Sequence, residues 1–310
     1  MRANLISDRS ASVSLLRLLA MLLIGYVVMG NVLALLIVGF LYEGNLIEAI
    51  SNPLDHPEIR NILLIAQGLA GLAGLILFPW YYLKTFEHRS PVVLFGKIPS
   101  VIWIAALTVL VIAFAIAISP VSQWNAEAQF PSWTGAFGEY LTSMEKQAEI
   151  LVKLFTSNLT PATFALTFVV VSILPGIGEE LVFRGMIQTE LQRAVGNPHV
   201  GIWLAAAFFS AFHMQFFGFF PRMLIGALLG YLYFWSGNLW VPVLAHMLNN
   251  GLQLLGLYLY QLGVHSLDVE STESAPVVAV AISVALTVGI LYYCKNNFSP
   301  QLTSARDRIE

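Results

Sequence analysis

Long uninterrupted apolar segments constrain the fold of this chain more than any other feature. A helix needs about 20 apolar residues to cross a bilayer. Reading for such segments gives these candidates: 13–42, 61–84, 100–119, 162–187, 199–217, 221–236, 239–261 and 275–294. The segments are continuous and do not alternate with polar residues, which favours helices over a barrel. We therefore predict an all-α polytopic membrane protein with eight transmembrane helices.

The composition supports this prediction and excludes other classes of protein. Of the 310 residues 57% are hydrophobic and 11% are charged, whereas soluble domains carry about 25% charged residues. The net charge of -3 argues against a nucleic-acid partner. A single cysteine, Cys294, excludes an internal disulfide framework and a multi-cysteine metal site. We expect an integral, multi-pass protein of the plasma (inner) membrane, with membrane lipid as its surroundings and a first helix that is retained and not a cleaved signal.

The lysines and arginines of the loops predict the orientation, because cytoplasmic loops are enriched in them. The acidic loops 43–58 and 265–274 alternate with the loops that carry the basic residues Arg2, Arg9, Arg17, Lys84, Arg89, Lys97, Arg193, Lys295, Arg306 and Arg308. We therefore predict that both termini are cytoplasmic. We expect a single membrane domain over 1–310, in which residues 1–160 supply three helices and an outer amphipathic segment, 161–260 the core of the domain, and 275–310 the last helix and a cytoplasmic tail.

A polar stretch between Ser119 and Pro161 is the longest segment outside the predicted helices. Its second half has apolar residues at helical spacing, which predicts an amphipathic helix on the outer surface. The stripe consists of Tyr140, Met144, Ile150, Leu151 and Leu154. A packed connector is the favoured interpretation of this helix, and a functional lid is the alternative.

Acids and histidines inside the predicted spans fall on three of the eight helices. Such groups are costly in a membrane and are functional candidates by default. The fourth span holds Glu179, Glu180 and Arg184. Glu180 and Arg184 are spaced to face each other along one side of a helix, which favours a structural ion pair. Glu179 is turned away from that pair by about 100°, and it is therefore free to face a cavity.

The fifth and seventh spans supply the other polar candidates. Phe209 precedes His213 by one helical turn, where its ring can shield the imidazole from water. His246 and Asn250 share a helix face and could both donate to one oxygen, as an oxyanion hole requires. Glu179 and His213 could activate a water for attack on a carbonyl. Hydrogen bonding between helices is the structural alternative for each of these residues.

A metal site is the alternative chemistry. Glu179, His213 and His246 supply two histidines and a carboxylate, a ligand set that suits catalytic zinc. The sequence lacks the HExxH pattern of a zincin, and Asn250 suits an oxyanion donor better than a metal ligand. We favour chemistry without a cofactor, and zinc stays open. Two non-hydrolytic classes also stay open: a transporter that uses these groups as a proton relay, and a non-catalytic membrane scaffold.

Three motifs in the same region resemble one known family. Residues EELVFR at Glu179–Arg184 match EExxxR, Phe209–His213 match FxxxH, and His246–Asn250 match HxxxN. All three, in this order and on predicted spans, resemble the type II CAAX prenyl endopeptidase family, also called the CPBP or Abi family. The resemblance covers residues of about 160–260.

The resemblance implies an eight-helix intramembrane endopeptidase whose conical cavity reaches the cytosolic side. It implies a peptide or lipidated protein as substrate, of CAAX type or from other bacterial processing, and a role for some members in bacteriocin self-immunity. Members are widely labelled metalloproteases, although the family's structure supports a glutamate-activated water. Carried over by position, Glu179 and His213 would activate water and His246 and Asn250 would form the oxyanion hole. Glu180 and Arg184 would complete the first motif.

Overall fold

A computed structural model describes residues 10–266 and 271–298, and within them every regular element is a helix. Two 3₁₀ turns, Pro91–Leu94 and Ser132–Thr134, occur in connections. The helices are α1 (Ala11–Leu41), α2 (Leu46–Ser51), α3 (Ile59–Thr85), α4 (Val101–Ala117), α5 (Ser119–Ala126), α6 (Gly135–Thr156), α7 (Pro161–Val195), α8 (Pro198–Phe212), α9 (Phe219–Ser236), α10 (Trp240–Gln261) and α11 (Val277–Phe298).

Each of the eight predicted segments overlaps one helix, namely α1, α3, α4 and α7 to α11. Among the described residues, 4 helices are long and apolar enough to cross a membrane: α1, α3, α7 and α11. The bent pair of α4 and α5, with an angle of 46°, raises the number to 5. The chain is therefore an integral, multi-pass membrane protein. Eight spans stay a prediction, because α8 is short and α9 and α10 are less apolar.

The cytoplasmic position of both termini also stays a prediction. Four of the arginines on which it rests, Arg2, Arg9, Arg306 and Arg308, lie outside the described residues, as does most of the predicted tail.

Local sequence signals explain where the helices of the core begin and end. Thr160 caps α7 with a reciprocal capping box, and Asn197 accepts hydrogen bonds from the first backbone N–H groups of α8. Both residues precede a proline at the first helical position, where no hydrogen bond is lost. Gly196 ends α7 with a φ of 66°, in the left-handed region that glycine adopts without strain. This end lies beyond the predicted boundary at 187.

Helix α7 contains two wider π-helical turns, Val169–Ile173 and Phe183–Gln188. Pro175 follows the first of them and has no N–H group to donate to the preceding turn. Such turns change the direction in which the next side chains point, and they are frequent at functional sites. The residues between the two turns, Leu174–Val182, include Glu179 and Glu180.

Small residues let α7 and α8 approach closely. A Cβ atom added at Gly201 on α8 would lie 2.7 Å from the backbone nitrogen of Gln192 on α7. Glycine at such crossings is typical of membrane helix pairs, which gain stability from close backbone packing. The pair holds the helix of His213 against the helix of Glu179.

We expect Gly201→Ala to lower the free energy of unfolding by about 1–3 kcal/mol, the usual cost of overpacking. The backbone atoms that a methyl group would meet cannot rotate away. Denaturing-detergent titration of the purified protein measures this change. The matched control is Gly71→Ala in α3, where nothing lies within 4 Å of the added Cβ. The control should be neutral or slightly stabilising, because alanine favours helix by up to about 1 kcal/mol. Equal destabilisation of both variants would contradict the close approach.

The predicted amphipathic helix exists as α6. The apolar stripe predicted for its outer surface is not exposed along its whole length. Its C-terminal half packs against α3, α7 and α10, and Leu154 is 3% exposed there. Tyr140 and Leu151 are 59% and 40% exposed. Two hydrogen bonds fix the end of α6: Gln261 donates to the carbonyl of Thr156, and Arg60 donates to the carbonyl of Ser157. The predicted stripe is split because packing buries its C-terminal part.

Candidate active site

The predicted ion pair of Glu180 and Arg184 exists and is fully buried in α7. Arg184 Nη1 donates to Glu180 Oε1 over 2.7 Å, and the two side chains are 2% and 0% exposed. Arg184 Nη2 also donates to the carbonyl of Gly226 on α9, and its guanidinium lies 4.5 Å from the ring centroid of Phe209. These contacts satisfy the buried cation, as burial of a charge requires.

Glu180 has a second partner, which the sequence did not predict. His246 Nδ1 on α10 lies 2.7 Å from Glu180 Oε1. A carboxylate that is paired with Arg184 accepts hydrogen bonds, so His246 Nδ1 carries the hydrogen. This contact fixes the orientation of the ring and leaves Nε2 on its other side. Glu180 is therefore both the partner of Arg184 and the residue that holds His246.

Glu179 points away from that pair, as its helical position predicted. Its Oε2 atom lies 3.9 Å from His213 Nε2 and 3.9 Å from His246 Nε2. Oε2 is buried and has no hydrogen-bond partner among the described residues. The two separations exceed a hydrogen bond and suit a bridging water. The structure thus brings together Glu179, His213 and His246, three of the four predicted catalytic residues.

His213 follows the last residue of α8, and the fifth helix does not continue to 217 as predicted. His213 Nδ1 lies 2.9 Å from the carbonyl of Phe209, so Nδ1 donates and Nε2 is a free acceptor in the neutral ring. The ring of Phe209 meets His213 edge to face at 5.0 Å, which confirms their predicted contact. His213 is the most open member of the group, with a side chain that is 28% exposed.

The connection after His213 has a strained backbone. Met214 has a φ of 54°, which costs a non-glycine residue about 1–3 kcal/mol and persists only where the surroundings enforce it. Ser210 Oγ on α8 donates to the carbonyl of Phe219, the first residue of α9, over 2.6 Å. Ser210 Oγ is thereby engaged with the backbone of α9 and does not point at His213.

Asn250 faces α7 one turn after His246. Its Nδ2 donates to the carbonyl of Val171, in the first π-helical turn of α7, over 2.9 Å. Its Oδ1 accepts from Asn249 over 3.0 Å. An amide carries two hydrogens on nitrogen, so one remains after the bond to Val171. The role of Asn250 as an oxyanion donor stays a prediction.

The three convergent atoms do not fit a bound zinc as they are placed. Tetrahedral zinc with bonds of about 2.1 Å separates its ligand atoms by about 3.4 Å. The observed separations from Glu179 Oε2 are both 3.9 Å. Among the described residues, no group of three His, Cys, Asp or Glu side chains is arranged to hold a metal ion. We therefore derive no chemical step through a metal.

Comparison with known proteins confirms the resemblance seen in the motifs. Residues 161–252 match the family model described as "Type II CAAX prenyl endopeptidase Rce1-like", a protease family. The chain is also similar to "Uncharacterized protein YpbD" of Bacillus subtilis (strain 168), with 33% identity over 100 residues. That alignment covers 31% of this chain and 46% of YpbD, so the chain spans less than half of the length of this relative. No solved structure gives a significant match.

Proposed function

We propose that this protein is an intramembrane endopeptidase that hydrolyses a peptide bond with a water activated by Glu179 and His213. One observation carries the proposal: Glu179 Oε2 is buried, has no hydrogen-bond partner in the described part of the chain, and lies 3.9 Å from each of two imidazole Nε2 atoms. A water near these atoms donates one hydrogen to Glu179 and the other to His213 Nε2. Its lone pair then points away from them, towards a substrate.

In the proposed step Glu179 removes one proton as the water oxygen attacks the carbonyl carbon. His213 Nε2 accepts the other hydrogen of the water and keeps it oriented. The carbonyl oxygen becomes an oxyanion, and the carbon–nitrogen bond then breaks. The proton held by Glu179 passes to the leaving amine. A carboxylate that accepts and returns one proton balances the reaction, and no covalent intermediate is required.

His246 and Asn250 are the proposed oxyanion donors. For donation His246 must carry a hydrogen on Nε2 as well as on Nδ1. The Glu180 carboxylate accepts from Nδ1 over 2.7 Å and holds the ring with Nε2 on the side of Glu179. The second amide hydrogen of Asn250 would complete the hole. Glu180 thus acts on the reaction through His246, and Phe209 shields both histidines, with its ring 6.0 Å from His246 and 5.0 Å from His213.

The family match supports peptide hydrolysis near the membrane surface. The proposal also includes the topology, the location and the substrate class of the protein. They are eight spans with both termini cytoplasmic, a location in the plasma (inner) membrane, and a peptide or lipidated protein as substrate. Processing of CAAX-type or other bacterial peptides is the proposed reaction, with bacteriocin self-immunity as one biological outcome.

Cleavage of membrane-anchored peptides by the purified, lipid-reconstituted protein tests the proposal. The same peptide is offered farnesylated at a cysteine near its C-terminus, anchored by a transmembrane helix, and without an anchor. We expect cleavage of at least one anchored form by the wild type, and loss of cleavage in Glu179→Ala and His246→Ala. Glu139→Ala, an exposed acid on α6, is the matched control. Cleavage by the two site variants at the wild-type rate would overturn the assignment.

Chelation provides a separate arm of the same assay. We expect cleavage to survive extended treatment with a strong chelator, because the three side chains are too far apart for zinc. Loss of activity that added zinc restores would transfer the mechanism to the metal alternative. Absence of cleavage of every peptide, in protein that unfolds cooperatively, would favour the transporter or scaffold classes.

A further inference from the structure

Helices α5 and α6 lie outside the matched segment 161–252, yet side chains from both hold the connection that follows His213. We call residues 213–218, between α8 and α9, the His213 loop. Glu145 on α6 is 8% exposed, and its Oε2 accepts from the backbone N–H of Phe216 over 2.7 Å. The N–H of Phe217 lies 3.4 Å from the same oxygen. A carboxylate is stable at such burial only when hydrogen bonds compensate it.

Asn125 on α5 hydrogen-bonds the same loop and the first turn of α9. Asn125 is 3% exposed, its Nδ2 donates to the carbonyl of Phe216 over 3.0 Å, and its Oδ1 accepts from the N–H of Phe220 over 2.9 Å. Both backbone groups of Phe216 are therefore satisfied by side chains of another segment. Arg222 of α9 adds a bond of 2.6 Å to Gln215. The loop depends on these contacts for its conformation.

The position of His213 is therefore linked to α5 and α6. The loop is short and includes Met214 in a left-handed conformation, which persists where surrounding contacts over-determine it. His213 Nε2 must lie within reach of the water at Glu179, and a misplacement of about 1 Å is enough to cost about 100-fold in rate. We infer that Glu145 and Asn125 are positioning residues for His213, and that α5 and α6 form a fixed clamp and not a mobile lid. This inference rests on the proposed hydrolytic function.

Steady-state cleavage and hydrogen exchange of the lipid-reconstituted, full-length protein test the clamp together. In Glu145→Ala the amides of Phe216 and Phe217 lose their acceptor, so we expect faster exchange in peptides that cover the His213 loop. We expect kcat to fall by about 10- to 100-fold with KM within about threefold of wild type. Glu145→Gln keeps one acceptor oxygen and should restore most of kcat. Glu139→Ala, exposed on the same helix, should change neither exchange nor kcat.

If Glu145→Ala does not fold, Asn125→Ala provides a second variant, on another helix. We expect it to show the same faster exchange of the loop and the same fall in kcat. Unchanged exchange of the loop in both alanine variants overturns the clamp, whether or not the protein cleaves peptides. Faster exchange with kcat unchanged overturns the positioning role. A wild type that cleaves nothing while the loop exchanges as expected shows that the proposed function has failed. In that outcome the positioning role fails together with the proposed function, while the hydrogen bonds of Glu145 and Asn125 to the His213 loop are confirmed.

Discussion

Glu179→Gln is expected to lower kcat by about 1,000-fold, within the range of roughly 10²–10⁴ that a general base contributes. The amide has the shape of the carboxyl group but cannot accept a proton from water. Its NH₂ group would also present a donor to the water in place of an acceptor oxygen, which removes one of the contacts that orient the water. Single-turnover cleavage of the anchored peptide measures the loss, and it should appear in the chemical step and not in substrate affinity.

The fold should be unaffected by this substitution, because Glu179 takes no part in the Glu180–Arg184 pair. The midpoint of unfolding of Glu179→Gln should therefore match that of the wild type. Glu139→Gln, the same chemical change at an exposed position on α6, should retain full activity. If Glu179→Gln kept wild-type kcat, neither water activation by Glu179 nor the central position of its Oε2 atom would explain catalysis.

Hydropathy predicted where the long helices lie, because lipid imposes the apolar requirement on the sequence itself. It was less informative about helix ends. The apolar character of the fifth segment continues through Phe216 and Phe217, yet α8 ends at Phe212. Beyond that end, side chains of α5 and α6 hydrogen-bond the backbone of the His213 loop, and hydropathy does not record such contacts. In contrast α7 extends past its apolar part to Val195, because a helix can continue through a polar sequence.

Helical spacing predicted which side of α7 each acid takes, and the ion pair of Glu180 with Arg184 followed from it. The contact of Glu180 with His246 joins residues 66 positions apart. Its existence depends on how α10 packs against α7, which local spacing cannot show. The same holds for Glu145, whose partners in the His213 loop are 71 and 72 positions away. In each case the missed interaction crosses between helices, whereas the contacts predicted from spacing lie within a single helix. The approach of Glu179 to His213 and His246 was predicted from their chemistry and motifs and not from spacing.

Glu180→Ala is expected to lower the free energy of unfolding by about 3–5 kcal/mol, the cost of leaving a buried charge without its partner. Arg184, 1% exposed, would keep only the carbonyl of Gly226 and the face of Phe209. His246 Nδ1 would lose its acceptor as well, so we expect kcat to fall by about 10-fold or more because the ring loses the bond that fixes its orientation. Denaturing-detergent titration and peptide cleavage measure the two effects.

A double variant separates the two roles of Glu180. Replacement of a buried pair by apolar residues is often neutral or stabilising, so Glu180→Leu with Arg184→Met should recover most of the lost free energy of unfolding. It should not recover kcat, because His246 still lacks a partner at Nδ1. Recovery of both quantities would show that Glu180 serves only to neutralise Arg184. A loss below about 1 kcal/mol in Glu180→Ala, the value of an exposed pair, would contradict the burial of the pair itself. The expected divergence between stability and rate follows from one oxygen atom, Glu180 Oε1, which accepts from Arg184 and from His246, each over 2.7 Å.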